Sequence, residues 1–244
     1  MSRNFQLLKQ LEIEADMTES HERALADRVA PEKAPQKYGG EPPSEEILRL
    51  AQTVFLANTG RAPRQVVFCG VDEENGSSSV CASTGRAIAL IGGKPVCLVD
   101  GNVRSPHLAR ALNLETPVPF PSRSAPIREQ CTLIDQNLWL AAPELLVDDR
   151  GRLLPAAELK QLLKHLRDAF EYVLIDAPAA GLSGDAAVLG LIADAAILVV
   201  EANSTRRLTA RRTKDTLEAL GVRLLGTVLR NRSFPLPRRI FKRR

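Results

Sequence analysis

The 244-residue chain contains no apolar run that approaches the ~20 residues needed to cross a bilayer, so we expect no membrane-spanning segment. Its first residues are polar and mixed in charge, without the apolar core of a signal peptide, so we expect a cytoplasmic protein. Cysteine and histidine are scarce: there are four cysteines, none in a C-x-x-C spacing, and three scattered histidines. These low numbers disfavour a disulfide framework and a metal site built from Cys and His, and they predict buried, reduced thiols.

The rest of the composition is ordinary for a globular protein. Hydrophobic residues make up 44% and charged residues 25% of the chain, and its length suits one α/β domain with extensions. We predict three parts. Residues 1–43 contain a short amphipathic helix at 3–14 and a charged linker with proline and glycine, residues 44–232 form the folded domain, and residues 233–244 form a basic tail.

Short apolar segments alternate with alanine- and leucine-rich segments through the middle of the chain. Strands are predicted at 66–70, 96–100, 137–141, 172–176, 196–201 and 223–229, and helices at 44–57, 78–91, 106–112, 155–169, 184–192 and 205–220. The proline-rich residues 115–130 are predicted to be a loop. This alternation is typical of βαβ units and predicts an α/β fold with a mostly parallel sheet flanked by helices.

Residues 66–85, VVFCGVDEENGSSSVCASTG, have the pattern of a phosphate-binding loop without its lysine. A strand runs into a turn, and Gly76 with three serines then begins a helix, an arrangement that surrounds phosphates with backbone N–H groups. Ser77 stands where the lysine is expected, and residues 72–74 add three carboxylates. The alternative interpretation is a helix that is merely capped by serines.

Two further strands end in aspartates. Asp100 ends the segment VCLVD, and Asp176 ends YVLID. In open α/β sheets, ligands bind at the carboxyl ends of the strands. We therefore expect both aspartates to meet the serine-rich loop at 76–79 in one crevice. The alternative for each aspartate is a strand-end residue that caps the following loop or helix.

From about Ser44 to Asn231 the chain resembles the tyrosine autokinases of bacterial capsule and exopolysaccharide biosynthesis, which are relatives of the deviant-Walker partition ATPases. The resemblance rests on the order and spacing of several segments, among them SEEILRLAQTVFLANTG, the loop region, VCLVDGNVRSPHLARALNL and FEYVLIDAPAAGLSGDAAVLG. It implies a P-loop NTPase-like fold of the deviant Walker type, with ATP and Mg²⁺ as cofactors.

The resemblance also implies roles for individual residues. Nucleotide binding is implied for Gly76, Ser77, Ser78, Ser79 and Arg104, Mg²⁺ binding for Ser78, Asp100 and Asp176, and ancestral catalytic roles for the same two aspartates.

The chain departs from the family pattern at several of these positions. Ser77 replaces the phosphate-binding lysine, Asn102 replaces the second aspartate of the D-x-D-x-R segment, and Glu73-Glu74 replaces a Pro-Gly pair. A hydrogen bond to a charged group contributes about 1.5–3 kcal/mol, so the missing lysine predicts ATP binding weakened roughly ten- to hundredfold. Phosphoryl transfer needs lysine and Mg²⁺ together, so we expect a degenerate, kinase-like member.

The resemblance further implies a regulatory role in exopolysaccharide or capsule assembly or export, through docking on a membrane polysaccharide co-polymerase. Subunit contacts are implied by Glu46-x-x-Arg49-x-x-Gln52, which is similar to the family's E-x-x-R-x-x-R signature, in a homo-oligomer or with an intact kinase paralogue. The alternative for this segment is an exposed charged face, in which the Glu46–Arg49 pair contributes about 0.2–0.5 kcal/mol.

Two other functions stay open at this point. The first is a weakly active ATPase or protein-tyrosine kinase whose lysine comes from elsewhere, such as Lys94 or a neighbouring subunit. The second is a partition-like, surface-binding ATPase. Measured ATP turnover would favour the first of these two.

The C-terminal residues 206–244 carry thirteen Lys and Arg against two acids and contain no tyrosine. Family kinases end in a tyrosine-rich tail that neighbouring subunits phosphorylate, whereas the two tyrosines here are Tyr38 and Tyr172. The basic end has three interpretations, in order of preference: a solvated tail or partner contact, attraction to an anionic membrane surface, and nucleic-acid binding. We expect a cytoplasmic protein that can lie at the inner face of the cell membrane.

Overall fold

The computed structural model describes residues 42–56, 62–114 and 124–231. The predicted N-terminal helix, nearly all of the linker, the basic tail and part of the loop predicted at 115–130 lie outside these residues. Those predictions, together with the domain boundaries drawn from the sequence, stay predictions.

Seven strands of the described residues form one sheet: β1 (Gln65–Gly70), β2 (Val96–Asp100), β3 (Thr132–Asp135), β4 (Leu138–Ala141), β5 (Tyr172–Ala177), β6 (Ala195–Glu201) and β7 (Leu224–Arg230). Their order is β3-β4-β2-β5-β1-β6-β7, and every neighbouring pair is parallel except the antiparallel pair β3–β4. The predicted α/β fold with a mostly parallel sheet is confirmed.

The helices of the described residues are α1 (Glu45–Ala51), α2 (Ser77–Gly92), α3 (Leu108–Ala111), α4 (Ala156–Ala169), α5 (Asp185–Ile192) and α6 (Arg207–Ala219). A π-helical turn, Gln52–Leu56, continues α1, and a 3₁₀ turn is formed by Pro143–Leu146. The helix predicted at 106–112 is shorter than expected: it begins at Leu108, and Pro106 and His107 are not helical. No helix among the described residues combines the length and apolarity needed to span a bilayer.

The first helix begins where the sequence predicts. The Ser44 hydroxyl accepts a hydrogen bond from the Ile47 N–H at 3.4 Å, which caps the helix. Arg49 Nη2 approaches Glu45 Oε1 at 3.5 Å, because residues four apart share a helix face. Both partners are exposed, so the subunit contact predicted for this helix stays a prediction.

The single strand predicted at 137–141 is in fact one arm of a hairpin. Strand β3 precedes it and pairs with it in antiparallel fashion. The turn between them contains Asn137, whose left-handed φ of +63° suits a tight turn. The sequence prediction missed β3 because this strand has four residues and is mostly half-buried, which leaves no clear alternation of apolar and polar residues.

The sheet separates two apolar clusters, one on each face. On β1, Val66 and Phe68 point to the cluster beneath α2, whereas Val67 and Cys69 point to the opposite cluster beneath α4, α5 and α6. Helices therefore cover both faces. The central strands are parallel, so the loops at their carboxyl ends lie on the same side of the molecule. All four cysteines are buried, as predicted: Cys69, Cys81, Cys97 and Cys131.

Candidate functional site

Asn75 holds the loop between β1 and α2 in shape. Its side-chain oxygen accepts a hydrogen bond from the Asp72 N–H at 2.6 Å, and its amide donates to Thr205 Oγ1 at 2.7 Å. Thr205 also accepts from the Glu201 N–H at 3.1 Å, which ties the loop to the end of β6. Asn75 was not among the site residues predicted from the sequence. The signal that could have found it is the tendency of asparagine to bond nearby backbone in turns.

Two residues of this loop have a left-handed backbone conformation. Gly76 has a φ of +72°, which glycine adopts without strain, and Glu74 has a φ of +62°. For a residue with a side chain this conformation costs roughly 1–2 kcal/mol. Glu74 therefore has a backbone conformation that glycine prefers, although it has a side chain.

Helix α2 begins with three backbone donors that have no acceptor. Its first hydrogen bond runs from the Val80 N–H to the Gly76 carbonyl at 3.1 Å. The N–H groups of Ser77, Ser78 and Ser79 therefore donate to no acceptor among the described residues. The first turn of the helix contains no acidic side chain. Free N–H groups and the positive end of the helix dipole together favour a bound anion such as a phosphate.

Asp100 and Asp176 lie side by side beneath this loop. They are register partners on β2 and β5, and both are buried. Asp100 Oδ2 accepts a hydrogen bond from the Leu108 N–H at 3.1 Å, so this oxygen caps α3. Asp100 Oδ1 and both oxygens of Asp176 are buried without a partner among the described residues. The capping interpretation therefore accounts for one oxygen of Asp100 and for neither oxygen of Asp176.

Burial changes the proton affinity of both aspartates. It raises the pKa of Asp176 to about 7, against the opposing effect of the Ser78 hydroxyl, and the negative charge of Asp100 raises it further. Burial also raises the pKa of Asp100 to about 6, although the Leu108 N–H acts in the opposite direction. Two carboxylates that ionise reluctantly at neutral pH would be stabilised in their charged form by a bound cation.

A cavity of about 620 Å³ opens above these elements. The nucleotide-binding residues predicted from the sequence all line it: Gly76, Ser77, Ser78, Ser79 and Arg104. Three carboxylates line it too, those of Asp72, Glu73 and Glu74, as do three basic residues, Arg104, His107 and Arg110. Arg104 is largely exposed and lies 3.9 Å from Asp185. His107, directly before α3, and Arg110, within α3, were not predicted from the sequence as site residues.

Lys94 cannot reach the loop between β1 and α2 of the same chain. It lies two residues before β2, at the amino ends of the strands, whereas the loop and the two aspartates lie at their carboxyl ends. The five residues of β2 alone span roughly 16 Å, which is more than a lysine side chain reaches. The suggestion that Lys94 supplies the charge in cis is therefore wrong.

The side chains present fit Mg²⁺ with a phosphate ester. Mg²⁺ prefers oxygen ligands and is commonly held by one or two carboxylates together with phosphate oxygens. Asp176 is completely buried, and its carboxylate faces the Ser77 and Ser78 hydroxyls at the loop. The free N–H groups of α2 belong to Ser77, Ser78 and Ser79, which line the cavity. One half of this arrangement suits a cation and the other half an anion.

No family model matches the chain. Among curated proteins, the tyrosine-protein kinase CpsD of Streptococcus agalactiae is 24% identical over 197 residues, which cover 76% of this chain and 82% of CpsD. The tyrosine-protein kinase YwqD of Bacillus subtilis is 24% identical over 190 residues, 76% of this chain and 80% of YwqD. Both of these relatives are bacterial tyrosine-protein kinases.

A third relative is the ATP-binding protein MJ0169 of Methanocaldococcus jannaschii, which is 30% identical over 162 residues, 63% of this chain and 59% of that protein. Solved structures show the fold. The chimerical protein CapA2B2 superposes with a TM-score of 0.62 at 22% identity and covers 79% of this chain and 86% of its own. MinD of Pyrococcus horikoshii, complexed with Mg-ADP, superposes with a TM-score of 0.56 at 21% identity, with coverages of 72% and 75%. The predicted P-loop NTPase-like fold is confirmed.

Proposed function

We propose that this protein is a degenerate tyrosine-kinase-like regulator of bacterial exopolysaccharide or capsule biosynthesis, and that it binds ATP–Mg²⁺ weakly. The observation that carries the proposal is the loop itself. The N–H groups at the start of α2 suit a phosphate, and the carboxylates of Asp100 and Asp176 suit a cation. However, Ser77 stands in place of the lysine, and three acidic residues line the cavity. The homology to capsule and exopolysaccharide tyrosine kinases supports the pathway.

In this proposal, different residues bind the phosphates and the Mg²⁺ ion of the ligand. The N–H groups of Ser77, Ser78 and Ser79 hold phosphate oxygens, and the Ser78 hydroxyl with Asp100 and Asp176 holds Mg²⁺. When bound, Mg²⁺ neutralises part of the charge on the phosphates. Each acid on the cavity wall opposes a polyanion, so the residues orient a nucleotide without the charge that efficient transfer requires.

The proposed partner is a membrane polysaccharide co-polymerase, with a second copy of the chain or an intact kinase paralogue as a further contact. The site lies in the folded domain proposed for residues 44–232, and the basic end proposed at 233–244 lets the protein lie at the inner face of the membrane. A regulator of this kind acts by occupying its partner and does not need to phosphorylate a tyrosine.

A second candidate is a weak ATPase or protein-tyrosine kinase of the same pathway. It is favoured by Ser78 and the two aspartates, which keep the donor set for Mg²⁺. The position of Tyr172 disfavours autophosphorylation of this residue within the same chain. Tyr172 lies at the amino end of β5, opposite the site, and donates its hydroxyl to the Phe55 carbonyl at 3.2 Å.

A genetic experiment tests the proposed function. Deletion of the gene is expected to change the amount or chain length of the host's polysaccharide, and the wild-type gene should restore both. A variant with Tyr38→Phe and Tyr172→Phe should also restore them, because the proposed role uses no phosphotyrosine. A deletion without effect would refute the regulatory role. A folded double variant that fails to complement would favour the kinase instead.

A further inference from the structure

The guanidinium of Arg230 lies against the backbone of Gly76. A Cβ added to Gly76 would overlap the Nη1 and Cζ atoms of Arg230 and would lie 2.9 Å from its Nε. The contact exists because position 76 carries no side chain. It brings a cation from the end of β7 to the N-terminus of α2, one residue before Ser77.

The backbone of Arg230 is firmly held at the end of the sheet. Arg230 is the register partner of Glu201 on β6, and its carbonyl accepts a hydrogen bond from the Ala202 N–H at 2.9 Å. The Asn231 amide donates to the Glu201 carboxylate at 2.6 Å. Glu201 also bonds Thr205, which holds the loop through Asn75. One set of hydrogen bonds therefore connects the loop and the strand that carries Arg230.

Arg230 has no counter-charge in the described part of the chain. Its guanidinium forms no ion pair there, whereas Arg104 Nη2 approaches Asp185 Oδ2 at 3.9 Å. The free N–H groups of Ser77, Ser78 and Ser79 make the adjacent helix end positive. A cation at the positive end of a helix is unfavourable by itself. An anion bound between the two would be attracted by both.

We propose that Arg230 supplies the counter-charge that the loop lacks without its lysine, by pairing with a phosphate of a nucleotide bound at the N-terminus of α2. The inference rests on the proposed nucleotide site and deepens it. Arginine suits this position because its planar guanidinium can donate two parallel hydrogen bonds to phosphate oxygens. The buried, unpartnered carboxylate of Asp176 faces the same loop and provides the cation-binding half.

The test compares two arginines of one strand region. Arg230→Gln removes the cation at the loop. Arg223→Gln removes an exposed cation directly before β7, at the opposite end of this strand. The two variants have the same net charge. Each is titrated calorimetrically with ATP–Mg²⁺ and with pyrophosphate–Mg²⁺, beside the wild type. Arg230→Lys keeps the charge, and thermal melting checks that each variant is folded.

Arg230→Gln is expected to weaken binding of both probes roughly tenfold or more, the effect of losing a charge-assisted hydrogen bond. Arg223→Gln should stay within about twofold of the wild type, and Arg230→Lys within several-fold. Ser77→Lys in the Arg230→Gln background should recover much of the loss, because either cation can serve the same phosphate.

Each other outcome overturns a defined statement. Equal affinities of the two glutamine variants, with measurable wild-type binding, refute the role of Arg230 and leave the nucleotide site intact. A loss confined to ATP refutes the phosphate contact, because pyrophosphate has no base or ribose. No binding of either probe to the wild type at millimolar concentration refutes the nucleotide site and this inference together. If Arg230→Gln unfolds, Arg230→Met is titrated in its place, and a folded Arg230→Met variant with the affinity of Arg223→Gln refutes the role of Arg230.

Discussion

Asp100 and Asp176 are register partners on adjacent parallel strands, and one of their four carboxylate oxygens has a hydrogen-bond partner among the described residues. Two buried carboxyl groups that lie side by side cannot both ionise without a large cost in free energy, because their negative charges repel each other. Either protons or a cation must compensate them. The pair is therefore the part of the site whose properties depend most on pH and on Mg²⁺.

The stability of the magnesium-free protein should fall between about pH 4 and pH 7. Burial raises the pKa of Asp176 from 3.8 to about 7, so in this range the folded protein keeps a proton that the unfolded chain has released. The cost of ionising the buried carboxylate is absent below the unfolded pKa, grows through the window and is complete above the folded pKa. Each pKa unit corresponds to ~1.4 kcal/mol, so the total is at most ~4 kcal/mol.

Asp176→Asn removes this titration and isolates its effect. In urea unfolding with EDTA, the variant should gain about 1–3 kcal/mol relative to the wild type at pH 8 and much less at pH 5. Asp149→Asn, on an exposed turn, is the control for the replacement of an aspartate by asparagine. An Asp176→Asn variant that changes stability by the same amount at both pH values would contradict the account.

Glu74→Gly should stabilise the protein. Glu74 has a φ of +62°, which strains a residue with a side chain and suits glycine, so relief should raise the free energy of unfolding by about 0.5–1 kcal/mol. Glu73→Gly is the matched control, because Glu73 loses the same charge without having a left-handed backbone. It should lower the free energy of unfolding by about 0.5–1 kcal/mol. Equal changes in both variants would show that charge, and not backbone strain, decides the result.

Deletion of residues 235–244 should weaken binding to anionic vesicles and leave the fold unchanged. The segment lies outside the described residues and beyond the end of β7 at Arg230. Basic residues near such a surface contribute about 1 kcal/mol each, and salt screens them over about 8 Å at physiological ionic strength. Co-sedimentation at low and high salt, full length against truncated, measures this. Equal sedimentation of the two forms, or none, would favour the solvated tail or partner contact.

Much of the fold could be predicted from local patterns. Buried parallel strands such as β1 and β5 read as continuous apolar runs, and the helices between them carry alanine and leucine, so element type and order follow from the sequence. β3 could not be found this way, because its stability comes from pairing with β4 and not from its own pattern. The meeting of Asp100 and Asp176 was predictable from a general property of parallel sheets.

Other parts of the site depend on contacts between distant residues. The contact of Arg230 with Gly76 joins positions 154 residues apart, and no local motif predicts it. Asn75 binds Thr205 across 130 residues for the same reason. In the sequence, Lys94 was a candidate source of the positive charge because it follows α2 closely. In the structure it lies at the amino end of β2, whereas the site lies at the carboxyl ends of the strands. Long-range topology, which the sequence pattern does not contain, decides these points.

Repair of the loop should restore nucleotide affinity. Ser77→Lys with Glu73→Pro and Glu74→Gly adds the missing cation, removes two repelling charges and returns glycine to the left-handed position. We expect ATP–Mg²⁺ to bind roughly tenfold more tightly or better, because charge-assisted hydrogen bonds to phosphate are the strong ones. Autophosphorylation on tyrosine should stay absent, and phosphotyrosine detection after incubation with ATP–Mg²⁺ checks this.

The most direct measurement is a calorimetric titration of the wild-type protein and this triple variant with ATP–Mg²⁺ under the same conditions. If the loop is a nucleotide-binding loop that lacks its counter-charge, the wild type binds ATP–Mg²⁺ with a dissociation constant of roughly high micromolar or weaker. The folded triple variant then binds about tenfold more tightly, or better. Submicromolar binding by the wild type, or a folded triple variant without any gain, would contradict this.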